Sequence, residues 1–297
     1  MLPSCPRWPD GGAFTVACNN LPMHTLFKAF TVVAMGLLVA ACGYGNDTPA
    51  PAPDIQTSGL AYGRSATFYI GVTSLNPGVT LSATLCTSLT PTASPNALYL
   101  GYNCTITGTG NLTLTATDTS GKEVLRQSFT VPDPQVQIQT SQGNVVVELY
   151  PMKAKLTVDN FLLYVADGFY KDTLFHRVIP NFVIQAGGYT TGPTAKAPTY
   201  PAIALQSNNG LSNLRGTLAM ARTTVPDSAT SQFYINLVDN PSLDYVNATS
   251  PGYAVFGKVI SGQDVVDAIG AVTTQSTSGL ANVPVQDITI TATTRLK

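Results

Sequence analysis

Histidine and cysteine, the side chains most often used as bases, nucleophiles and metal ligands, are scarce in this sequence. Two histidines, His24 and His176, and five cysteines occur in 297 residues, and none has the spacing of a zinc site. His176 has no nearby Cys or Asp pattern with which to form a catalytic triad. We therefore predict a structural role for His176, no metal or other cofactor, and no hydrolase activity.

The charge balance excludes one class of partner. Fifteen basic and sixteen acidic residues give a net charge of −1, and charged residues make up only 10% of the chain. Ordinary soluble domains contain roughly 25%. Because no basic stripe is present to attract a phosphate backbone, nucleic acid is not an expected partner.

Four segments in the second half of the chain form a recognisable set. They are Phe175–Gly188 (F-H-R-V-I-P-N-F-V-I-Q-A-G-G), Gly216–Arg222, Ser231–Asn236 and Tyr253–Lys258. These segments resemble the motifs of cyclophilins, in that family's order and spacing, and the resemblance covers roughly residues 135–295. It implies a peptidyl-prolyl cis–trans isomerase that acts on proline-containing polypeptides, and an eight-stranded antiparallel barrel with two capping helices.

Two phrases narrow the resemblance further. Met220–Thr223 (M-A-R-T) followed by Asp227–Phe233 (D-S-A-T-S-Q-F) is most similar to the periplasmic cyclophilins of Gram-negative bacteria.

The resemblance also implies a site. It makes Arg177 the catalytic donor to the prolyl nitrogen and Gln185 the amide that orients it. By residue type alone, Arg177 could instead form a surface ion pair, and the apolar residues could be ordinary core. The substrate-binding residues that the resemblance implies are Phe182, Val183, Ala221, Arg222, Thr223, Gln232, Tyr234, Leu243 and Tyr253.

The sequence departs from the family pattern at a few of these positions. Ser242 stands where the family usually has a large aromatic residue, which predicts weak cyclosporin binding and a looser substrate preference, unless the alignment shifts by one residue. Tyr234 replaces the usual Phe, and its hydroxyl needs a partner or a path to water. Arg222 and Tyr253 replace the Asn and His of many eukaryotic members, as in the bacterial branch.

Local patterns predict elements that fit this fold. Val136–Tyr150 is typical of a hairpin that turns at residues 141–144. A helix is predicted from an N-cap at Thr157 to Gly168, and a second from Gly262 to Ile269. Two helices and many strands favour an α+β or barrel fold.

The region before the barrel has a different pattern. Residues 55–132 alternate apolar and hydroxyl side chains, which predicts antiparallel strands in a small immunoglobulin-like β-sandwich. Cys86 and Cys104 are predicted to form a disulfide, with two buried thiols as the alternative. Pro132-Asp-Pro134 marks the boundary with an isomerase domain at 134–297. The role of the sandwich stays open between spacer, substrate platform and partner-binding module.

The first residues predict export. Ala29–Ala41 is an uncharged apolar run after Lys28, too short to span a membrane comfortably. Residues 39–42 (V-A-A-C) resemble a lipoprotein signal that would lipidate Cys42, and a plain secretory signal is the alternative. We predict a signal peptide within residues 1–42, for which a start at Met23 would give the normal layout, and a Pro/Ala linker at 43–54. The mature protein is expected to be a monomer, held in the cell envelope by lipid alone and facing the periplasm, with the outer membrane favoured.

Two functions compete at this point. One is an active isomerase that assists the folding of exported proteins. The other is a non-catalytic cyclophilin-like chaperone or envelope scaffold, which the departure at Ser242 favours. The presence of Arg177, Phe182 and Gln185 together favours the active enzyme.

Overall fold

The computed structural model describes residues 55–72, 75 and 78–297. The predicted signal peptide, the lipidation site Cys42 and the linker at 43–54 lie outside the described residues. Within those ranges, no helix has the length and apolar character that crossing a membrane requires.

The sandwich consists of two antiparallel sheets. In the described part of the region its strands are β1 (Ile55–Ser58), β2 (Ser65–Gly71), β3 (Thr80–Ala83), β4 (Thr90–Thr92), β5 (Tyr99–Thr105), β6 (Gly110–Thr117) and β7 (Glu123–Val131). One sheet has the order β1-β2-β5-β4 and the other β3-β6-β7. This is the four-plus-three strand order of an immunoglobulin constant-type domain, in agreement with the sequence prediction.

The core of the sandwich follows the period of two in the sequence. Leu112 and Leu114 on β6 are fully buried against Phe68 and Ile70 on β2, while the threonines between them stay half-exposed. Alternation of this kind is expected when one face of each sheet is buried.

The two cysteines of the sandwich lie together. The sulfur atoms of Cys86 and Cys104 are at bonding distance, and their Cα atoms are 5.8 Å apart. Disulfides usually have a Cα separation of about 4.4–6.8 Å. The pair would tie the segment after β3 to β5, and hence one sheet to the other.

The second half of the chain forms a closed barrel. Its strands are β8 (Gln135–Thr140), β9 (Gly143–Leu149), β10 (Thr173–Ile179), β11 (Val183–Thr190), β12 (Thr194–Ala195), β13 (Thr217–Met220), β14 (Phe233–Asn236), β15 (Val255–Ser261), β16 (Thr274–Thr277), β17 (Leu280–Pro284) and β18 (Thr289–Arg295). Their order is β10-β18-β8-β9-β15-β13-β14-β11, and β11 pairs back onto β10, so eight antiparallel strands close the ring as the resemblance implied. Beyond the ring, β12 adds to β11, and β16 and β17 form a separate hairpin.

Helices α1 (Lys155–Ala166) and α2 (Gln263–Gly270) pack on the barrel. The predicted start of α1 is wrong: Ala154 holds the N-cap position without a side-chain cap, and Thr157 lies buried in the first turn. The amide and hydroxyl of Thr157 both donate to Oε1 of Gln206, at 3.0 and 3.1 Å. That partner is 49 residues away in sequence, so no local pattern could show it.

Gly168 ends α1 with a φ of +65°, as predicted.

One side chain of the sandwich belongs to the core of the barrel. Tyr62, between β1 and β2, is only 2% exposed and packs in the barrel's apolar cluster. Its hydroxyl donates to Oδ1 of Asp159 on α1 at 2.6 Å, and Arg295 on β18 donates to its backbone oxygen. Burial and the bond to Asp159 raise the pKa of Tyr62 to about 12. Two residues of the barrel therefore hold the sandwich in place.

Candidate active site

The candidate site lies on the outer wall of the barrel. Arg177 on β10 is directly opposite Gln185 on β11, and Gln185 is opposite Tyr234 on β14. Their neighbours Val178 and Ile184 are buried in the barrel core. Because side chains alternate across a strand, Arg177, Gln185 and Tyr234 share the outer face.

A cleft of about 260 Å³ opens over this face. It brings together nine of the eleven catalytic and substrate-binding residues that the sequence resemblance implies. They are Arg177, Phe182, Val183, Gln185, Ala221, Arg222, Tyr234, Leu243 and Tyr253. The two others lie beside it: Thr223 lines a neighbouring cavity, and Gln232 lies behind Gln185.

Arg177 is oriented by a chain of two amides. Its Nη1 donates to Oε1 of Gln185 at 3.3 Å, and Nε2 of Gln185 donates to Oε1 of Gln232 at 2.9 Å. In the part of the chain that the structure describes, no carboxylate forms an ion pair with Arg177. The remaining donors of the guanidinium are therefore not taken up by a described carboxylate and can bind a ligand in the cleft.

The apolar wall of the cleft rests on a buried asparagine. The hydroxyl of Tyr234 donates to Oδ1 of Asn213 at 2.7 Å, which is the partner that its burial requires. Nδ2 of Asn213 donates in turn to the backbone oxygen of Leu243 at 3.1 Å and to Oδ1 of Asp244 at 2.9 Å. Burial raises the pKa of Tyr234 far above its ordinary value, so the phenol stays protonated.

Comparisons with known proteins indicate the family of this chain. Residues 135–295 match the family model of the cyclophilin type peptidyl-prolyl cis-trans isomerase/CLD. A peptidyl-prolyl cis-trans isomerase of Acinetobacter baylyi is 50% identical over 167 residues, which cover 56% of this chain and 88% of that protein. Isomerase B of Escherichia coli is 47% identical over 161 residues, which cover 54% of this chain and 98% of that protein. A crystal structure of a Cryptosporidium parvum cyclophilin is 27% identical, with a TM-score of 0.49 and coverage of 56% of this chain and 98% of that chain.

The chain belongs to the cyclophilin family. It is a peptidyl-prolyl cis–trans isomerase, and proline-containing polypeptides are the substrates of this family.

Sequence analysis of this cyclophilin missed Asn213. The residue lies in the long connection before β13, 21 positions from Tyr234, and it is fully buried. The one available signal was Tyr in place of the family's Phe at position 234, which required a polar partner but did not say where. No local spacing connects the two residues.

The turn that carries Phe182 is also fixed by asparagines. Nδ2 of Asn240 donates to the backbone oxygen of Phe182 at 3.0 Å and to Oδ1 of Asn236 at 2.8 Å. Asn181, with a φ of +56°, forms the bend before Phe182. Asn is among the residues that tolerate this left-handed conformation. The ring of Phe182 is therefore presented by a turn with defined hydrogen bonds.

In this cyclophilin the guanidinium of Arg222 donates its hydrogen bonds to backbone oxygens of the protein. Its Nε and Nη2 donate to the backbone oxygen of Gly252 at 3.0 and 2.8 Å, and Nη1 donates to that of Thr223 at 2.9 Å. The guanidinium lies 4.6 Å from the centre of the Tyr253 ring. A Cβ on Gly252 would lie 2.5 Å from the backbone of Asp244, so this junction requires glycine. Arg222 thereby braces one wall of the cleft.

Ser242 lies beside the Arg177 cleft and does not line it. It is exposed in a short 3-10 helix, Pro241–Leu243, and lines a cavity of about 680 Å³ next to the cleft. Leu243, the next residue, lies in the cleft itself, as the unshifted alignment implies. A one-residue shift is therefore not needed to explain the serine.

His176 has the buried position that a structural role predicts. It is 4% exposed, and its ring centre lies 4.6 Å from that of Tyr189. Its Nδ1 has no hydrogen-bond partner among the described residues. Burial lowers the pKa of His176 to about 4, so the ring is neutral near pH 7.

Proposed function

We propose that the Arg177 cleft of this isomerase rotates X–Pro bonds in exported polypeptides, and that the protein works in the cell envelope. The observation that carries the assignment of residues is the guanidinium of Arg177, unpaired among the described carboxylates and aimed by Gln185, at the edge of an apolar cleft.

The chemistry asks for electrostatics and shape, not for a nucleophile. A peptide bond resists rotation because the nitrogen lone pair is delocalised, with a barrier of about 18–20 kcal/mol. Spontaneous X–Pro exchange takes roughly 10–100 s. Turnover at about 10³ per second requires the barrier to fall by roughly 7 kcal/mol. No covalent bond forms or breaks, so no acid, base or nucleophile needs tuning.

Arg177 supplies the electrostatic part. As the amide twists, the lone pair of the prolyl nitrogen leaves conjugation and becomes an acceptor. A hydrogen bond from Arg177 then forms in the transition state and is weak in either planar ground state. Interactions that strengthen only in the transition state are the ones that accelerate a reaction. Gln185 and Gln232 hold the donor in place, so little reorganisation is needed when the bond rotates.

The apolar residues supply the grip. Phe182, Val183 and Leu243 offer a surface for the proline ring, with Tyr234 as its floor. Burial of apolar surface contributes about 25 cal/mol per Å². Because the cleft holds the proline ring in place, the carbonyl that precedes it rotates relative to a fixed ring, and the motion is confined to one bond. Ala221 and the backbone near Thr223, next to the cleft, are placed to hold the main chain of the substrate.

Substitution of the arginine tests this assignment. In the full chain, Arg177→Ala is expected to lower kcat/KM on a tetrapeptide with one X–Pro bond by about 10²-fold, the typical loss when one transition-state donor is removed. Arg177→Lys is expected to recover little, because an ammonium lacks the planar fork of donors. Arg126→Ala, at an exposed arginine of β7 paired with Glu123, is the matched control and should keep full activity.

The same assay addresses the alternative of a non-catalytic chaperone or scaffold. If the unsubstituted protein isomerises the tetrapeptide no faster than buffer, the catalytic assignment is wrong. Equal activity of Arg177→Ala and Arg126→Ala would leave the enzyme intact and place its catalytic donor elsewhere.

The envelope location is supported by the sequence. The apolar run at 29–41 followed by Cys42 favours export and lipidation, which would anchor the protein facing the periplasm, at the outer membrane in preference to the inner. Cys86 and Cys104, 5.8 Å apart at their Cα atoms, suit a disulfide in such an oxidising compartment. The mass of the mature N-terminal peptide tests this, because an unmodified Cys42 would contradict the anchor.

A further inference from the structure

A second cleft, of about 540 Å³, lies between the sandwich and the barrel. Thr130 and Val131 at the end of β7 form one side, and Pro132 forms the junction. Tyr150, Met152 and Leu211 of the barrel form the other side. We call this the interdomain cleft. It is large enough for several side chains of an extended peptide, since small-molecule pockets span about 300–1,000 Å³.

We propose that the interdomain cleft binds an apolar segment of the same unfolded polypeptide whose X–Pro bond occupies the Arg177 cleft. This inference rests on the proposed function and assigns the sandwich a part in substrate binding. The isomerase would then bind an unfolded chain at two sites, the Arg177 cleft and the interdomain cleft.

The chemistry of the walls favours an apolar occupant. Met152 is 58% exposed at the cleft, although a side chain of this kind is ordinarily buried. An unbranched thioether adapts to partners of different shape, which suits a surface that meets many sequences. The lining holds one acidic residue, Asp133, which accepts a hydrogen bond from the hydroxyl of Thr109, and one basic residue, Lys153, so their opposite charges offset each other. Binding here would therefore depend on buried apolar area more than on charge.

The two clefts are connected through one apolar cluster. Leu211 lines the interdomain cleft, and it also packs against the apolar cluster formed by Val183, Ala219, Tyr234 and Val255 at the Arg177 cleft. Val183 and Tyr234 of that cluster line the Arg177 cleft, so one apolar cluster connects the two clefts. An extended chain that occupied both clefts would pass over this cluster.

The interdomain cleft is also held in a fixed shape. Tyr62 docks the sandwich in the core of the barrel, and Arg295 bonds to its backbone. A preformed site avoids the ordering cost that a loosely tethered domain would incur on binding.

Placing a charge in the interdomain cleft tests the proposal in the full chain. The substrates are a tetrapeptide with one X–Pro bond, too short to reach both clefts, and a reduced, alkylated protein whose refolding is limited by one X–Pro bond. Met152→Glu is expected to lower the ratio of kcat/KM for the protein to that for the tetrapeptide by about tenfold, through KM. Leu163→Glu, at a 49% exposed leucine of α1 outside the lining, is the matched control and should leave the ratio unchanged.

A substitution of opposite charge separates apolar from ionic binding. Thr130→Lys, at an exposed position of β7, should lower the ratio as Met152→Glu does if the occupant is apolar. Opposite effects of the two variants would show an ionic occupant and overturn the proposal. So would an unchanged ratio in both variants, or an equal loss with Leu163→Glu.

Failure of this proposal and failure of the proposed function give different results. Fluorescence anisotropy with a permanently unfolded, proline-containing protein measures binding without turnover. If Met152→Glu weakens that binding and Leu163→Glu does not, the interdomain cleft stands even for a protein that is inactive on the tetrapeptide. If neither variant weakens it, the interdomain cleft is wrong, whatever the activity at Arg177.

Discussion

The sandwich and the barrel are built from the same alternation of side chains, and they differ on the faces that point outward. On β6, Leu112 and Leu114 point inward and threonines point outward. On β10 and β11, Val178 and Ile184 point inward, while Arg177 and Gln185 point outward side by side. The inward positions specify a stable β fold in both regions. In the proposed mechanism, catalysis depends on the side chains at the outward positions and on the register that pairs them.

The two regions also differ in how their sheets end. The barrel closes on itself through β10 and β11, so its ring has no free edge. The sandwich keeps edge strands, such as β7 in the described part of its smaller sheet. It depends on other constraints, namely the contact of Cys86 with Cys104 and the insertion of Tyr62 into the barrel. The stability of the sandwich is therefore expected to depend on these contacts more than that of the barrel does.

Removing the Tyr62 side chain tests that dependence, and it should give the largest effect. Tyr62→Ala deletes a ring that is 2% exposed and is expected to lower the free energy of unfolding by about 3–5 kcal/mol. Chemical denaturation followed by circular dichroism should then show the sandwich unfolding before the barrel. Tyr62→Phe, which loses only the bond to Asp159, should cost about 1 kcal/mol and keep one transition. A single transition of native midpoint in Tyr62→Ala would show that the sandwich is independently stable.

Lowering the pH should destabilise the barrel through its histidine, His176. The sandwich lacks this effect, because residues 55–131 contain no histidine. The folded pKa of about 4 lies below the unfolded value of about 6.5, so between these pH values the unfolded chain binds more protons. The stability due to neutral His176 is complete above pH 6.5 and is lost as the pH falls towards 4, by up to about 3 kcal/mol.

The variant His176→Phe isolates this contribution. Its free energy of unfolding, measured by urea denaturation at pH 4.5, 5.5 and 7, should change less with pH than that of the unsubstituted protein. Equal slopes in the two proteins would mean that His176 does not titrate as its burial predicts. The carboxylates contribute equally to both proteins and cancel in the comparison.

The smallest effect is expected from removing the hydroxyl of Tyr234, on the outer face of the barrel. Tyr234→Phe removes the hydrogen bond to Asn213 but keeps the ring that floors the cleft. We expect a loss of about 1 kcal/mol in stability and a change in kcat/KM on the tetrapeptide of less than about threefold. Tyr234→Ala, which removes the ring as well, should lower kcat/KM much further. A large loss of activity in Tyr234→Phe would give the hydroxyl a part in catalysis that its bond to Asn213 does not suggest.

The predictability of the site from sequence follows the range of its contacts. Arg177, Phe182, Val183 and Gln185 lie within nine residues of each other in one motif, so the resemblance placed them together and the structure does the same. The barrel and its helices followed from the four motifs and from local periodicity. Alternation with a period of two likewise predicted the sandwich.

Contacts between distant segments were not predictable in this way. Asn213 supports Tyr234 from a loop with no motif, and Tyr62 meets Asp159 across 97 residues. Thr157 looked like a helix cap because its true partner, Gln206, is remote. Each of these depends on tertiary packing that brings polar groups together after the chain has folded, and local spacing carries no trace of it.

The position of the Arg177 cleft on the outside of a closed ring has a consequence for how clients are handled. In the proposed mechanism a substrate chain crosses the cleft on the outer surface of the ring, with both of its ends free, and is not threaded through an opening. The proposed mechanism therefore allows an internal loop of a nearly folded protein to bind, isomerise at its X–Pro bond and dissociate while the rest of that protein stays folded.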